Sequence, residues 1–302
     1  MGGTPEPGYR RRIAAAVALL SAAGAVVAVA VPAVAPPPST APAKPGGIEA
    51  SRRSVAIASP AALPARARRR PRTTAPSRRR IASARRFLSS RAGQTAFAVV
   101  DSRGRLTGLR SDEQFGSASV VKAMLLVAHL DALARAGASL AQGDRALLAL
   151  MVRRSDNKAA TEIYARVGDA GLMRLARRAR MRRFSVAGYW ANARITAADQ
   201  ARFLLRLDSL LPPRHRAYGR SLLAGVVAEQ SWGIPRAARP RWRVFFKGGW
   251  RPEPAGYLVH QVARLEGDDR VVVIAVMTRA NPSHRYGTET VRGVALRLLR
   301  ES

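Results

Sequence analysis

Hydrophobic residues spaced as Ile81, Leu88 and Ala92, with Arg85 on the same repeat, predict a helix at the start of the folded region, near Ile81. An alternating run over residues 95–100, the segment Ser102-Arg103-Gly104-Arg105 and a second short run from Leu106 predict a β-hairpin. Residues 119–135 carry helical periodicity. Helical spacing also dominates residues 140–211, as at Leu147, Leu148, Met151 and Val152. There, a capping signal from Thr196 to Asp199 precedes Phe203, Leu204 and Leu207. Strand character returns at residues 243–246, 257–265 and 270–277, and residues 288–299 read as a closing helix. Strands at both ends with helices between them predict an α+β domain over residues 81–302, interrupted by a helical insert at about 136–240.

The N-terminal quarter has a different texture. Arg10, Arg11 and Arg12 precede an apolar run over residues 13–31 that stops at Pro32. That order is expected of a secretory signal or a single membrane anchor, with residues 1–12 as a basic cytoplasmic N-terminus and the domain outside. The run is long enough to span a bilayer, which favours the anchor. Ala28-Val29-Ala30 offers a small-residue cleavage site, which would release a secreted form. Residues 32–80 are rich in Pro, Ala and Arg with almost no aromatic side chain, a composition that predicts a disordered basic tether.

Charge narrows the partners. Lys plus Arg total 52 against 19 Asp plus Glu, a formal net charge of +33, so an anionic neighbour is expected. No aromatic residues interleave the tether for base stacking, which argues against nucleic acid and for an anionic membrane or cell-wall polymer. Cysteine is absent, which excludes disulfides and a thiolate nucleophile. The four histidines show no ligand spacing, and no metal or organic cofactor is expected. Lysine occurs only at Lys44, Lys122, Lys158 and Lys247, every other basic residue being arginine. Either arginine is a compositional habit, or a surviving lysine marks a place that needs an ammonium able to lose its proton.

Three short motifs follow in order: Ser119-Val120-Val121-Lys122, Ser155-Asp156-Asn157 and Lys247-Gly248-Gly249. Ser-x-x-Lys puts a hydroxyl and an amine on one face of a helix, the spacing at which a lysine can take the serine proton. Each motif alone is weak. Together, and with neighbours such as Phe115-Gly116-Ser117-Ala118 and Trp232-Gly233-Ile234-Pro235, the chain from about Ile81 onward resembles the serine β-lactamase and penicillin-binding protein superfamily, in its class A-like branch.

The resemblance implies a five-stranded antiparallel sheet flanked by helices, an inserted all-helical domain, and a site in the cleft between them. It implies Ser119 as nucleophile, Lys122 as general base, Ser155 as proton relay and Lys247 as anchor for a substrate carboxylate. Asn157 would bind a substrate amide, and Gly248 and Gly249 would let substrate approach the strand edge. The N–H groups of Ser119 and Trp250 would form the oxyanion hole. The implied substrates are a β-lactam or a D-alanyl peptide of the peptidoglycan type.

Two departures qualify this. Gly248 replaces the family's Thr or Ser, removing a hydroxyl for the substrate carboxylate. The glutamate that activates the deacylating water in class A enzymes is not found. Gly188-Tyr189-Trp190-Ala191-Asn192-Ala193 holds no acid, and Glu162, Asp199 and Glu229 read as exposed-helix or capping residues. An acyl-enzyme that forms and deacylates slowly is therefore expected. A non-catalytic wall-binding protein on the same fold is the other reading, and the sequence leaves oligomeric state open.

Overall fold

The structure, a computed structural model, describes residues 75–267 and 270–299. The expected N-terminus and anchor, and the tether up to residue 74, lie outside the described residues. Among the described residues no helix is long and apolar enough to cross a membrane.

The chain opens with α1 (Arg78–Ser89), β1 (Gln94–Asp101), β2 (Leu106–Leu109) and β3 (Phe115–Gly116), then a 3-10 turn, Ala118–Val121. Helices α2 (Lys122–Arg135) and α3 (Gln142–Ala149), a π-helical turn Leu150–Arg154 and the long α4 (Asn157–Arg178) follow. Strands β4 (Ser185–Ala187) and β5 (Tyr189–Ile195) lead to α5 (Ala197–Leu205), α6 (Leu207–Leu210), α7 (Pro213–Ala224) and α8 (Ile234–Ala238). The chain closes with β6 (Arg243–Glu253), β7 (Gly256–Gly267), β8 (Arg270–Asn281) and α9 (His284–Leu299).

Helix α1 starts at Arg78, not at Ile81, because Ser77 caps it: its Oγ accepts the Arg80 N–H at 3.4 Å. Arg78, Arg79 and Arg80, which composition assigned to the tether, therefore belong to the domain, while Ile81, Ala84 and Leu88 point into the core. The expected hairpin is present, with Phe97 opposite Leu109 and Val100 opposite Leu106. The main sheet is antiparallel with strand order β2-β1-β8-β7-β6, leaving β6 at an edge. Both α9 and α5 pack against β7 and β8, whose central residues are buried without alternation. Continuous burial on both faces requires these helices to cover opposite sides of the sheet.

The segment expected to be all helical is not. Residues 185–195 form β4 and β5, which join β3 in a second, three-stranded sheet. A tight reversal at Gly188, where φ is 67°, pairs Ala187 with Tyr189. Trp190, Ala193 and Ile195 then turn inward from β5. This period-2 stretch is too short to stand out between two helical runs. Nor is the insert one contiguous lobe, since α5 lies on the main sheet while α2, α4 and α7 pack together. The C-terminal strand and helix also reach further than pattern alone predicts, β6 to Glu253 and α9 back to His284.

Helix α7, which touches both α2 and β6, is fastened to β7 and α6 by a ring of four charges. Arg220 reaches Asp208 and Glu266, each at 2.6 Å, and Arg264 reaches Asp208 at 2.9 Å and Glu266 at 2.6 Å.

Candidate active site

Two backbone devices bring the motifs together. Ser119 lies in the 3-10 turn just before α2, and its predecessor Ala118 has φ of 43°, a left-handed conformation that is unfavourable for alanine. The π-helical turn ends at Ser155, also left-handed with φ of 63°. Asp156 then caps α4, accepting the Ala159 N–H at 2.7 Å, so Asn157 becomes the first helical residue. These turns place Ser155 and Asn157 over the start of α2.

The edge strand supplies the third wall. Its register with β7 sets Lys247 opposite Val262, Gly249 opposite His260 and Trp250 opposite Val259. A Cβ on Gly249 would lie 2.8 Å from the backbone nitrogens of both Ser119 and Val120, so only glycine lets the strand press this closely on the serine turn.

Both amines converge on one hydroxyl. Lys247 Nζ donates to Ser155 Oγ at 3.1 Å and to the Gly248 carbonyl at 2.9 Å. Lys122 Nζ donates to the Ser155 carbonyl at 2.5 Å and to Asn157 Oδ1 at 2.6 Å, and lies 3.5 Å from Ser155 Oγ. Both lysines are fully buried, whereas Ser119 is partly exposed. Burial pushes the Lys122 ammonium down to about 8, with the nearby Asp156 carboxylate opposing that fall. Burial also drives Lys247 well below the ordinary lysine range, and the positive charge of Lys122 adds to the effect. Among the described residues no hydrogen bond joins Ser119 Oγ to Lys122; the ammonium is held by Ser155 and Asn157 instead.

Sequence reasoning passed over three residues of this region. Trp190 lies with its ring 4.9 Å from Lys122 Nζ, its indole N–H donating to Thr161 Oγ1 at 3.1 Å. The aromatic pair Tyr189-Trp190 in an acid-free stretch was the available signal. His260, fully buried, links the Gly116 carbonyl at 3.0 Å to the Thr278 N–H at 3.1 Å. Donating through Nε2 and accepting through Nδ1 requires a neutral ring, in keeping with burial pushing its pKa down to about 4. Gln261 accepts the Ile234 N–H at 2.6 Å and donates to the Gln230 carbonyl at 3.1 Å, which fixes the segment carrying Trp232. A lone polar pair, His260-Gln261, inside an apolar strand was the only sign of the last two.

Among the described residues no carboxylate hydrogen-bonds either lysine. Glu162 faces a cavity of about 720 Å³ that it shares with His129, Asp144 and Arg166. Glu229 sits in the 3-10 turn Ala228–Gln230. Asp199 is not an exposed capping residue: it is fully buried, its own N–H is capped by Thr196, and it accepts the N–H groups of Arg182 and Arg183, each at 2.8 Å. Asp156 is the acidic residue whose charge bears on Lys122.

A family model described as the beta-lactamase enzyme family matches residues 145–301, more than half of the chain. The chain belongs to that family. Solved structures agree on the β-lactamase fold. A β-lactamase from Sphaerobacter thermophilus aligns over 73% of this chain and 95% of its own, at 17% identity and a TM-score of 0.64. One from Streptosporangium roseum aligns over 74% and 97%, at 18% identity and a TM-score of 0.62. An ancestral class A β-lactamase aligns over 73% and 98%, at 19% identity and a TM-score of 0.61. No curated protein matches the sequence. The five-stranded antiparallel sheet with its helices is thus the β-lactamase architecture, and the three motifs touch one another within it.

Proposed function

We propose that this β-lactamase family member is an acyl-transferring serine hydrolase with Ser119 as nucleophile. The observation that carries the proposal is the convergence of two buried amines on Ser155 Oγ, beside a serine turn pressed against the glycine edge of β6. A lysine lowered to about 8 is neutral often enough near neutral pH to serve as a base, which a guanidinium could not.

In the reaction, Ser119 Oγ forms a bond to the substrate carbonyl carbon while its proton passes to Lys122. The carbonyl π electrons move to oxygen, where the N–H groups of Ser119 and Trp250 receive the negative charge. On collapse the bond to the leaving nitrogen or oxygen breaks, and that atom takes a proton through Ser155 from the lysine pair. Asn157 orients the substrate amide and Lys247 holds Ser155. Water then cleaves the acyl-enzyme. Trp190 lies over Lys122, and the nearby carboxylate, Asp156, is engaged in capping α4, so this last step lacks a dedicated base and is slow, a positioned base being worth about 100- to 10,000-fold.

β-Lactams and D-alanyl peptides are the substrates that the family suggests. The apolar run at residues 13–31 and the basic tether would hold the enzyme outside the cytoplasmic membrane, against anionic lipid or wall polymer. Intact-mass spectrometry after mixing with a β-lactam panel and a fluorophosphonate tests the chemistry. We expect a stable adduct that forms on the wild type and not on Ser119→Ala. No adduct from any reagent would favour a non-catalytic binding protein instead.

A further inference from the structure

A cavity of about 720 Å³, lined from α2, α3 and α4, holds none of the motif residues. Its volume is within the roughly 300–1,000 Å³ of small-molecule sites. Ala132 and Leu133 of α2 and Leu147 of α3 give it an apolar floor. Four polar side chains, His129, Asp144, Glu162 and Arg166, complete the lining. Arg166 stands four residues after Glu162 on α4, the spacing of a helical ion pair, yet its guanidinium bonds Asp144 on α3 instead. Glu162 is left partly exposed, with no ion pair or side-chain hydrogen bond among the described residues. His129 is only 4% exposed, and its Nε2, 3.5 Å from Asp144 Oδ1, has no hydrogen-bond partner.

The charges in this lining do not balance. Burial pushes His129 below the ordinary histidine range, with Asp144 opposing the fall and Arg166 adding to it, so the ring is uncharged near neutral pH. Two carboxylates then face one guanidinium. The neighbouring cations are engaged elsewhere: Arg135 and Arg178 with Asp131, Arg214 with the carbonyls of Leu133 and Ala138, and Arg145 over the Tyr218 ring. Lys158, one turn before Glu162, is exposed and makes no ion pair. An acid without a cation is an exception in a chain of 52 basic and 19 acidic residues. A neutral or anionic occupant would strip water from Glu162 and return nothing for it, whereas an ammonium returns a charge-assisted hydrogen bond. A bare metal ion does not fit, since no group of three or more potential ligands occurs among the described residues.

We propose that this cavity is a binding site for a small organic ammonium ion, its nitrogen on Glu162 and its aromatic or branched apolar body on the floor of Ala132, Leu133 and Leu147. The site is separate from Ser119 and stands whether or not that residue is the nucleophile. On α2, His129 lies seven residues beyond Lys122, about 10 Å along the helix axis.

Three ligands of one shape and different charge test this: phenethylamine, phenethyl alcohol and phenylacetate, each titrated into the full chain by calorimetry near neutral pH. The amine should bind at least about threefold more tightly than the alcohol, the size of one partly exposed ion pair, and phenylacetate should bind most weakly. Glu162→Gln should bring the amine down to the affinity of the alcohol, and Glu162→Asp should keep part of the difference. Ala132→Phe, which fills the floor, should remove the binding of both, with melting curves confirming that each variant is folded. Ser119→Ala should bind the amine as the wild type does. Equal affinity for amine and alcohol, an amine affinity unchanged in Glu162→Gln, or no saturable binding of the amine overturns the proposal. Loss of amine binding in Ser119→Ala overturns it too, by placing the ligand at the serine.

Discussion

Replacing Gly249 with alanine separates the site's geometry from its chemistry, because no titrating or hydrogen-bonding group changes. The added Cβ would stand 2.8 Å from the backbone nitrogens of Ser119 and Val120 and 3.1 Å from Ala118 Cβ. Favourable contacts lie at about 3.5–4.0 Å, so strand and turn must part by roughly 0.7 Å or more. Backbone atoms on both sides leave no flexible side chain to absorb the shift. Displacements of about 1 Å at a reacting centre cost on the order of 100-fold in rate, so an acylation rate lower by about 10- to 100-fold is expected. Overpacking should also cost about 1–3 kcal/mol of stability. In a domain of this size that is a drop of roughly 2–4 °C in Tm for each kcal/mol. Single-turnover acylation with a fluorophosphonate gives the rate, and calorimetry gives the Tm. Gly248→Ala, whose Cβ would meet a side-chain ring at 3.3 Å, should lose less on both measures. Acylation by Gly249→Ala at the wild-type rate would refute the close apposition of strand and nucleophile.

The remaining predictions concern ionisation. With the neutral amine of Lys122 as base, acylation should rise with pH and level off above about 8; Lys122→Arg should lose about 100- to 10,000-fold, and a pH-independent wild-type rate would count against this role. Asp156→Ala removes the carboxylate that raises Lys122, so the midpoint of that profile should move below about 8. The same change should cost about 1 kcal/mol in urea unfolding through loss of the α4 cap. His260, lowered from 6.5 to about 4, binds a proton more readily in the unfolded chain. Its contribution is therefore complete above pH 6.5 and should shrink by roughly 3 kcal/mol as pH falls toward 4. Urea titrations at pH 7 and pH 4.5 on wild type and His260→Gln measure this, and equal pH dependence in the two would refute it.

What the sequence made legible was local. The hairpin, the Thr196 cap and the three motifs each depend on residues a few positions apart, so spacing carried them. Lysine's rarity was informative too: of the three that the structure describes, the two in motifs, Lys122 and Lys247, are buried and Lys158 is exposed. The strands around Gly188 were lost because a period-2 signal of a few residues cannot outweigh flanking helical repeats. Asp199 was half legible, since the cap that Thr196 places on its N–H is sequential while the N–H groups of Arg182 and Arg183 that its carboxylate accepts come from a distant loop. Trp190 over Lys122, and the cavity shared by His129, Asp144, Glu162 and Arg166, join side chains from separate elements, and only the folded chain brings them together.

The ring of Arg220, Asp208, Arg264 and Glu266 bears on how the molecule should respond to heat. Each of these charges touches two of opposite sign, so neutralising any one strands two neighbours in a half-buried place. The cost of stripping water from ions falls as temperature rises, so a closed circuit of this kind gains relative strength as hydrophobic cohesion flattens. The clamp on α7 should therefore be among the last parts of the crevice to loosen on warming, keeping the gap between helices and sheet at its working width until the domain melts as a whole.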